Sequence, residues 1–249
     1  MTTQRWKLTI EYDGTPFNGW QRQEDSVPSV QAAIEDGIYG FCQQRLTIHV
    51  AGRTDAGVHA KGQICHVDLP TRAITEFELA KAITANIKSD AVAVLKAEKV
   101  SDDFHARFSA TNKLYTYRIL RRSAPPALDK NRVWHFRRDL NVNAMQIAAK
   151  HLLGNHDFTT FRDSDCQAKS PVKTLDRLDI EQTGDEILFH AEGRSFLHHQ
   201  VRNMVGTLTL VGDGKWQPDD MRTALEAHDR TKGGPTAPAE GLYLVRVDY

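Results

Sequence analysis

The chain has 249 residues, with 32 Lys and Arg exactly offset by 32 Asp and Glu, 40% hydrophobic and 26% charged. This is an ordinary globular composition, long enough to bury the core of one large domain or two small ones. No apolar run approaches the ~20 residues that cross a bilayer, and the opening Met-Thr-Thr-Gln-Arg-Trp-Lys lacks the apolar core of a secretory leader. The three cysteines, Cys42, Cys65 and Cys166, form no Cys-x-x-Cys pair. They argue against a zinc site or a disulfide framework and for a reducing cytoplasm.

In chain order, Lys7–Tyr12 alternates Leu8, Ile10 and Tyr12 with polar residues and reads as a strand, with Asp13-Gly14 as a turn signal. Ser29 is a helix N-cap, and Val30, Ala33, Ile34, Gly37, Ile38 and Phe41 fall on one helical stripe. Strands are expected around Leu46–Ala51 and Gln63–Leu69. Thr75-Glu76-Phe77-Glu78 is a capping box opening a helix to about Ile87, and Val92–Val100 is a strand. The order is β-α-β-β-α-β.

The same plan repeats from Ser109. Leu114–Leu120 alternates with Tyr115, Tyr117 and Ile119 on one face. Val142–Leu153 is a helix ended by Gly154. Leu175–Gln182 and Glu186–Glu192 form a hairpin around Thr183-Gly184-Asp185. Helices at His198–Leu210 and Pro218–His228 precede a last strand, Leu242–Asp248. The fold class is therefore α+β: two split β-α-β halves of ferredoxin-like plan, residues 1–108 and 109–249. Joined edge to edge, such halves make one extended, mainly antiparallel sheet with helices on one face and a cleft between the halves, and the join hides two sheet edges.

Net charge is zero, but its distribution is uneven. From Arg107 to Arg138 nine basic residues face one acid, Asp129, leaving +8. Such a segment is either a solvated face or the footprint of a polyanion.

The stretch Gly52-Arg53-Thr54-Asp55-Ala56-Gly57-Val58-His59-Ala60 can be read as a hairpin loop whose Asp and Gly serve the turn. Its two glycines also allow close approach of a ligand. A carboxylate near an arginine stays ionised, and an ionised Asp serves as a nucleophile or stabilises positive charge on a sugar. Glycoside hydrolysis usually needs a second carboxylate, which the loop lacks. No phosphate-binding Gly-x-x-x-x-Gly-Lys-Ser/Thr or Gly-x-Gly-x-x-Gly occurs, so no nucleotide cofactor is indicated. Adjacent helical residues such as His198 and His199 point apart and rarely share a metal ion. Arg202 lies off the apolar stripe of its helix, and one of Tyr115 and Tyr117 could stack on a base instead of filling the core. A purely RNA-binding module would also explain the basic segment, but a carboxylate aimed at a polyanion costs such a module affinity.

The loop resembles the catalytic loop of the tRNA pseudouridine synthase A (TruA) family, which modifies the anticodon stem-loop. Glu11-Tyr12-Asp13-Gly14, Gly19-Trp20-Gln21-Arg22-Gln23, Asp102 through Ala110, Phe196 with Val201 through Gly206, and Ala239 through Leu244 resemble its other motifs in the same order. The resemblance implies Asp55 as the catalytic aspartate and Arg53 as a tRNA contact that helps hold the target nucleotide out of the stem. It implies Tyr115 stacked on the target uracil, Arg202 paired with Asp55, and Leu244 among the substrate contacts. Phe104, His105, Ala106, Arg107 and Phe108, with Gln167, Ala168, Lys169, Ser170 and Pro171, would line the RNA path. It implies a cytoplasmic homodimer without cofactor or metal that acts on uridines 38, 39 and 40. Residues 121–131 match no pattern of the family. The implied reaction detaches uracil, turns it and reattaches it through carbon; it is an isomerisation that consumes nothing.

Overall fold

The computed structural model describes residues 2–24 and 26–249. Among them are eleven strands and five α-helices, an α+β chain whose strands pair mostly antiparallel. It divides into two compact units. One runs to Thr111 and regains Leu244–Tyr249; the other is Asn112–Tyr243. The division falls at Thr111 instead of residue 108, and the last residues, expected with the second half, belong to the first unit.

In the first unit the order is β1 (Thr3–Tyr12), α1 (Val30–Cys42), β2 (His49–Val50), β3 (His59–Pro70), α2 (Glu76–Asn86) and β4 (Val92–Lys99). Trp6, Leu8, Ile10 and Tyr12 alternate inward along β1. This strand lies between β3 and β4, antiparallel to both, and begins four residues before Lys7 because pairing with β3 continues to Thr3↔Pro70. The expected strand at 46–51 shrinks to His49–Val50, which pairs with Cys65 and His66. Both helices start where their caps predict. The Ser29 hydroxyl accepts from Ala32 N, and Thr75 and Glu78 complete the capping box. Ile34, Ile38, Leu79 and Ile83 are fully buried; burial of each contributes up to about 1.5–3 kcal/mol. The unit is closed by the chain's end: Thr111 N donates to Asp248 O (2.8 Å), and the Tyr249 hydroxyl donates to Ala106 O (2.8 Å).

The second unit is built on β5 (Asn112–Arg121), β9 (Arg177–Thr183) and β10 (Glu186–Gly193). Strand β10 is central and antiparallel to both neighbours. Three short strands lie outside the expected plan. These are β6 (Trp134–Phe136), parallel to β5, and the pair β7 (Gly154–Asp157) and β8 (Val172–Leu175). The helix expected over 142–153 is α3 (Val142–Ala149), tightening into a 3-10 turn at Lys150–Leu152. The helix α4 (Gln200–Gly212) is buried on almost every side. Its buried polar groups are satisfied internally: Asn203 Nδ2 donates to Phe161 O (2.9 Å), Thr207 to Asn203 O (2.7 Å), and Gln200 Oε1 accepts from Leu197 N (2.8 Å). The helix α5 spans Asp220–Glu226. The last strand, β11 (Leu242–Asp248), has the expected bounds.

The basic segment is less cationic in space than in sequence. Arg118 pairs with Glu186 and Asp129, Arg121 with Asp139, and Arg138 with Asp213.

Candidate active site

The loop carrying Asp55 joins β2 to β3 and is bound into the first unit from three sides. Trp20 N donates to Thr54 O (3.0 Å). The Thr54 hydroxyl meets the buried Tyr12 hydroxyl at 2.7 Å. Gln63, wholly buried in β3, donates to Gly52 O (2.9 Å). Burial pushes the Tyr12 hydroxyl up to about 12, and the Asp55 carboxylate adds to that shift, so Tyr12 stays a neutral hydrogen-bonding group at physiological pH.

Val58 N donates to Asp55 O (3.2 Å), closing a turn in which Gly57 has φ +77°, a conformation glycine adopts without strain. Gly14, from the turn after β1, lies against the far side of this loop. A Cβ at Gly14 would fall 2.1 Å from Val58 O, so no other residue fits without moving the loop. Gly14 N donates to Nδ1 of the buried His59 (2.9 Å). That donation makes Nδ1 an acceptor, so the nearby Asp13 carboxylate (3.2 Å) does not receive a proton from it. The result is a loop held by its backbone, with Asp55 half-buried and Arg53 exposed. The turn reading and the functional reading of Asp55 are compatible: its carbonyl serves the turn.

Segment 104–108 is also folded tightly in the first unit. Arg5 forks onto Asp68 (Nε–Oδ1 and Nη2–Oδ2 both 2.8 Å) and donates to Phe104 O (3.0 Å). His105 Nδ1 accepts from Arg107 N (3.1 Å), and His66 Nδ1 accepts from Ala106 N (3.2 Å). Arg107 and Phe108 are left exposed, and Ala106 is buried. Leu244 is fully buried in β11.

In the second unit the two tyrosines separate. Tyr117 is fully buried, and its hydroxyl donates to Pro238 O (2.7 Å); it is core. Tyr115 retains 9% exposure and stands edge-on to Phe196, ring centres 5.1 Å apart. Arg202, half-buried on α4, donates through Nε to Ala237 O (2.8 Å) and accepts at its own carbonyl from Ala237 N (3.1 Å). Gln167, Lys169 and Ser170 are exposed, with Ala168 and Pro171 half-buried, in the connection from β7 to β8.

His198 and His199 depart from expectation. They precede α4 instead of lying on it, because His199 has left-handed backbone (φ 61°). Their rings therefore come together, 4.0 Å between centres, and His199 Nδ1 lies 2.6 Å from Asp163 Oδ2. Sequence reasoning missed Asp163, as it did the Tyr12–Thr54–Gln63 strap. The strap had a faint signal, since Tyr12 ends the inward alternation of β1. Asp163 had none, being 36 residues from its partner.

The structure thus holds a half-buried carboxylate on a backbone-fixed glycine loop in an α+β chain of two units, and comparison with known proteins shows the family. A family model described as tRNA pseudouridine synthase matches residues 8–109 and 148–249. A tRNA pseudouridine synthase A of Paramagnetospirillum magneticum is 58% identical over 245 residues, 98% of this chain and 95% of that protein. Proteins of the same name from Rhodospirillum centenum (55% over 246 residues; 99% of this chain, 100% of that protein) and Caulobacter vibrioides (55% over 247 residues; 98% of each) are similarly close. The chain belongs to the tRNA pseudouridine synthase family and is an enzyme, an isomerase. The two matched stretches include Arg53, Asp55, the 104–108 and 167–171 segments, Arg202 and Leu244; Tyr115 and the 121–131 loop fall between them.

Proposed function

We propose that this enzyme converts uridine to pseudouridine in tRNA, at positions 38, 39 and 40 of the anticodon stem-loop. The observation that carries the reading is Asp55: a carboxylate in a loop whose backbone is fixed by Trp20, Gln63 and the close approach of Gly14. A residue held this way loses little freedom when it meets a ribose, which is how orientation lowers a barrier. The target base lies in a stem or stack and must be extruded, at a cost of a few kcal/mol. Arg53, exposed two residues before Asp55, helps hold the extruded nucleotide. Tyr115, its ring set by Phe196, stacks on the uracil. Arg202, fixed at its Nε and its backbone by Ala237, pairs with the Asp55 carboxylate and keeps it ionised.

The N1–C1′ bond breaks with its electron pair on the uracil, the base turns, and C5–C1′ forms. The proton lost from C5 is balanced by one gained at N1, so no oxidant or reductant enters. Segments 104–108 and 167–171 carry the RNA backbone, and the enzyme works as a cytoplasmic homodimer without cofactor. Among the described residues no helix is long and apolar enough to cross a membrane.

The test is incubation with unmodified tRNA transcripts and mapping of pseudouridine. Product confined to 38–40 is expected; product elsewhere, or none, overturns the assignment. Repeating it with 2′-deuterated uridine separates attack at C1′ from removal of the C2′ proton, since only the second shows a primary isotope effect.

A further inference from the structure

The strained turn before α4 has no role in the reading above. A histidine with φ 61° and ψ 3° at a helix start is costly for a residue with a Cβ, about 1–2 kcal/mol, and persists only where its surroundings hold it. Here they do so. His199 Nδ1 is 2.6 Å from Asp163 Oδ2. Asp163 in turn is held by its own segment: its Oδ1 accepts from Asp165 N (2.9 Å), its carbonyl accepts from Cys166 N (3.2 Å), and its N donates to His198 O (3.0 Å). The Asp165 amide first, and then His199, hold the Asp163 carboxyl below the usual range. The His199 carbonyl takes the first helical bond of α4, from Asn203 N (2.8 Å). One turn into the helix, Asn203 Nδ2 bonds back to Phe161 O.

Two features of the proposed function hang from this point. Arg202 is three residues after His199 on the helix it starts, and segment 167–171 follows Asp163 by a few residues of a chain without regular structure.

We infer that His199 and Asp163 are positioning residues: a pin that sets the start of α4, and with it Arg202, against the connection that carries the 167–171 RNA contacts. The inference rests on the roles proposed above for those groups. A pin of this kind acts at short range. Released, α4 keeps its buried body, while its first turn and the 163–166 turn shift against each other, and a shift near 1 Å costs about 10² in rate.

Three variants isolate the pin. His199→Ala removes the side-chain bond and the conformational tolerance together. His199→Gly restores the left-handed backbone but not the bond. His199→Asn restores both, because Asn tolerates this conformation and its amide can donate to Asp163. Each is measured by single-turnover isomerisation at saturating tRNA, by tRNA affinity, and by thermal melting, with rates referred to folded protein.

The expected result is a loss of about 10²-fold in rate for Ala and Gly, an affinity within about fivefold of wild type, and recovery in Asn to within about threefold. Wild-type rates in Ala and Gly overturn the inference. So does an Asn variant as slow as Ala, which would mean that the imidazole itself is required. Rate losses that vanish on correction for folded fraction also overturn it. Arg202→Met and Lys169→Ala are run alongside. If these two are impaired and the His199 variants are not, the pin alone fails; if they too are unimpaired, the roles of Arg202 and the loop fail.

Discussion

Replacing Gly14 by alanine tests whether the Asp55 loop is held as rigidly as the geometry says. The added Cβ would lie 2.1 Å from Val58 O, 2.6 Å from Val58 C and 2.9 Å from Gly57 C. All are backbone atoms that cannot rotate away. An ordinary C···O contact is about 3.3 Å or more, so the loop must retreat by about 1 Å. Val58 is tied to Asp55 by the turn bond, and the carboxylate is carried along. Overpacking of this kind costs about 1–3 kcal/mol, a fall in melting temperature of about 3–10 °C for a chain of this length. The displacement costs about 10² in rate.

Gly184→Ala is the matched control. Gly184 has φ +59° and nothing within 4 Å of an added Cβ, so it should lose about 1–2 kcal/mol through backbone strain alone and keep its rate. The assays are a calorimetric melt and single-turnover isomerisation of a tRNA transcript. Gly14→Ala with wild-type melting and wild-type rate refutes the argument, and a rate loss equal in both variants shows that the melt, not the loop, governs activity.

Asp55→Asn keeps the shape of the side chain and removes its charge; the single-turnover rate should fall at least ~10³-fold with tRNA affinity retained, and activity within tenfold of wild type would remove Asp55 from the chemistry. Tyr115→Phe keeps the ring against Phe196 and so the affinity, while turnover falls by about 10²-fold through the lost hydroxyl; equal and normal turnover in Phe and Leu variants assigns Tyr115 to packing. Burial, and then the neighbouring charges of His49, Arg5 and His105, lower His66 to about 4. The unfolded chain takes up this proton near the ordinary 6.5, so stability is complete above that pH and falls by roughly 3 kcal/mol as pH drops towards 4; urea midpoints at pH 7, 6 and 5 that do not fall, or that fall equally in His66→Gln, contradict this. Arg121 is already compensated by Asp139 and Arg137 is exposed, so Arg137→Gln should flatten the log–log salt dependence of tRNA affinity by about 0.7–0.9 and Arg121→Gln should leave it unchanged; the reverse order would place the tRNA path along Arg121.

Much of the first unit was legible because its signals are local. Ser29 and the Thr75/Glu78 box are caps that act within one turn, and Leu8, Ile10 and Tyr12 alternate in plain view. What escaped was set by distant partners. Strand β6 exists because it lies along Ile119–Arg121, and its three residues show no period of their own. Strand β1 reaches back to Thr3 only because Pro70 is there to meet it. The start of α4 was misplaced because Asp163 stabilises a left-handed His199 that propensity alone disfavours. The segment charge of +8 is larger than the local charge in space, because Glu186, Asp139 and Asp213 pair with Arg118, Arg121 and Arg138 from outside the counted window. In the site, residue types pointed to Asp55, but the Tyr12–Thr54–Gln63 strap that fixes its loop is long-range and needed coordinates.

The return of Leu244–Tyr249 to the first unit bears on how the protein comes into being on the ribosome. Synthesis runs from the N-terminus, and domains generally fold as units in that order. Here the unit that carries Asp55 is begun first but lacks its closing residues until the second unit has been made: Asp248 for Thr111 N, and Tyr249 for Ala106 O. The second unit, by contrast, has every residue through Tyr243 before Leu244–Tyr249 are added. A nascent chain that has just reached Tyr243 therefore holds every residue of the second unit while the unit that carries Asp55 still lacks Leu244–Tyr249.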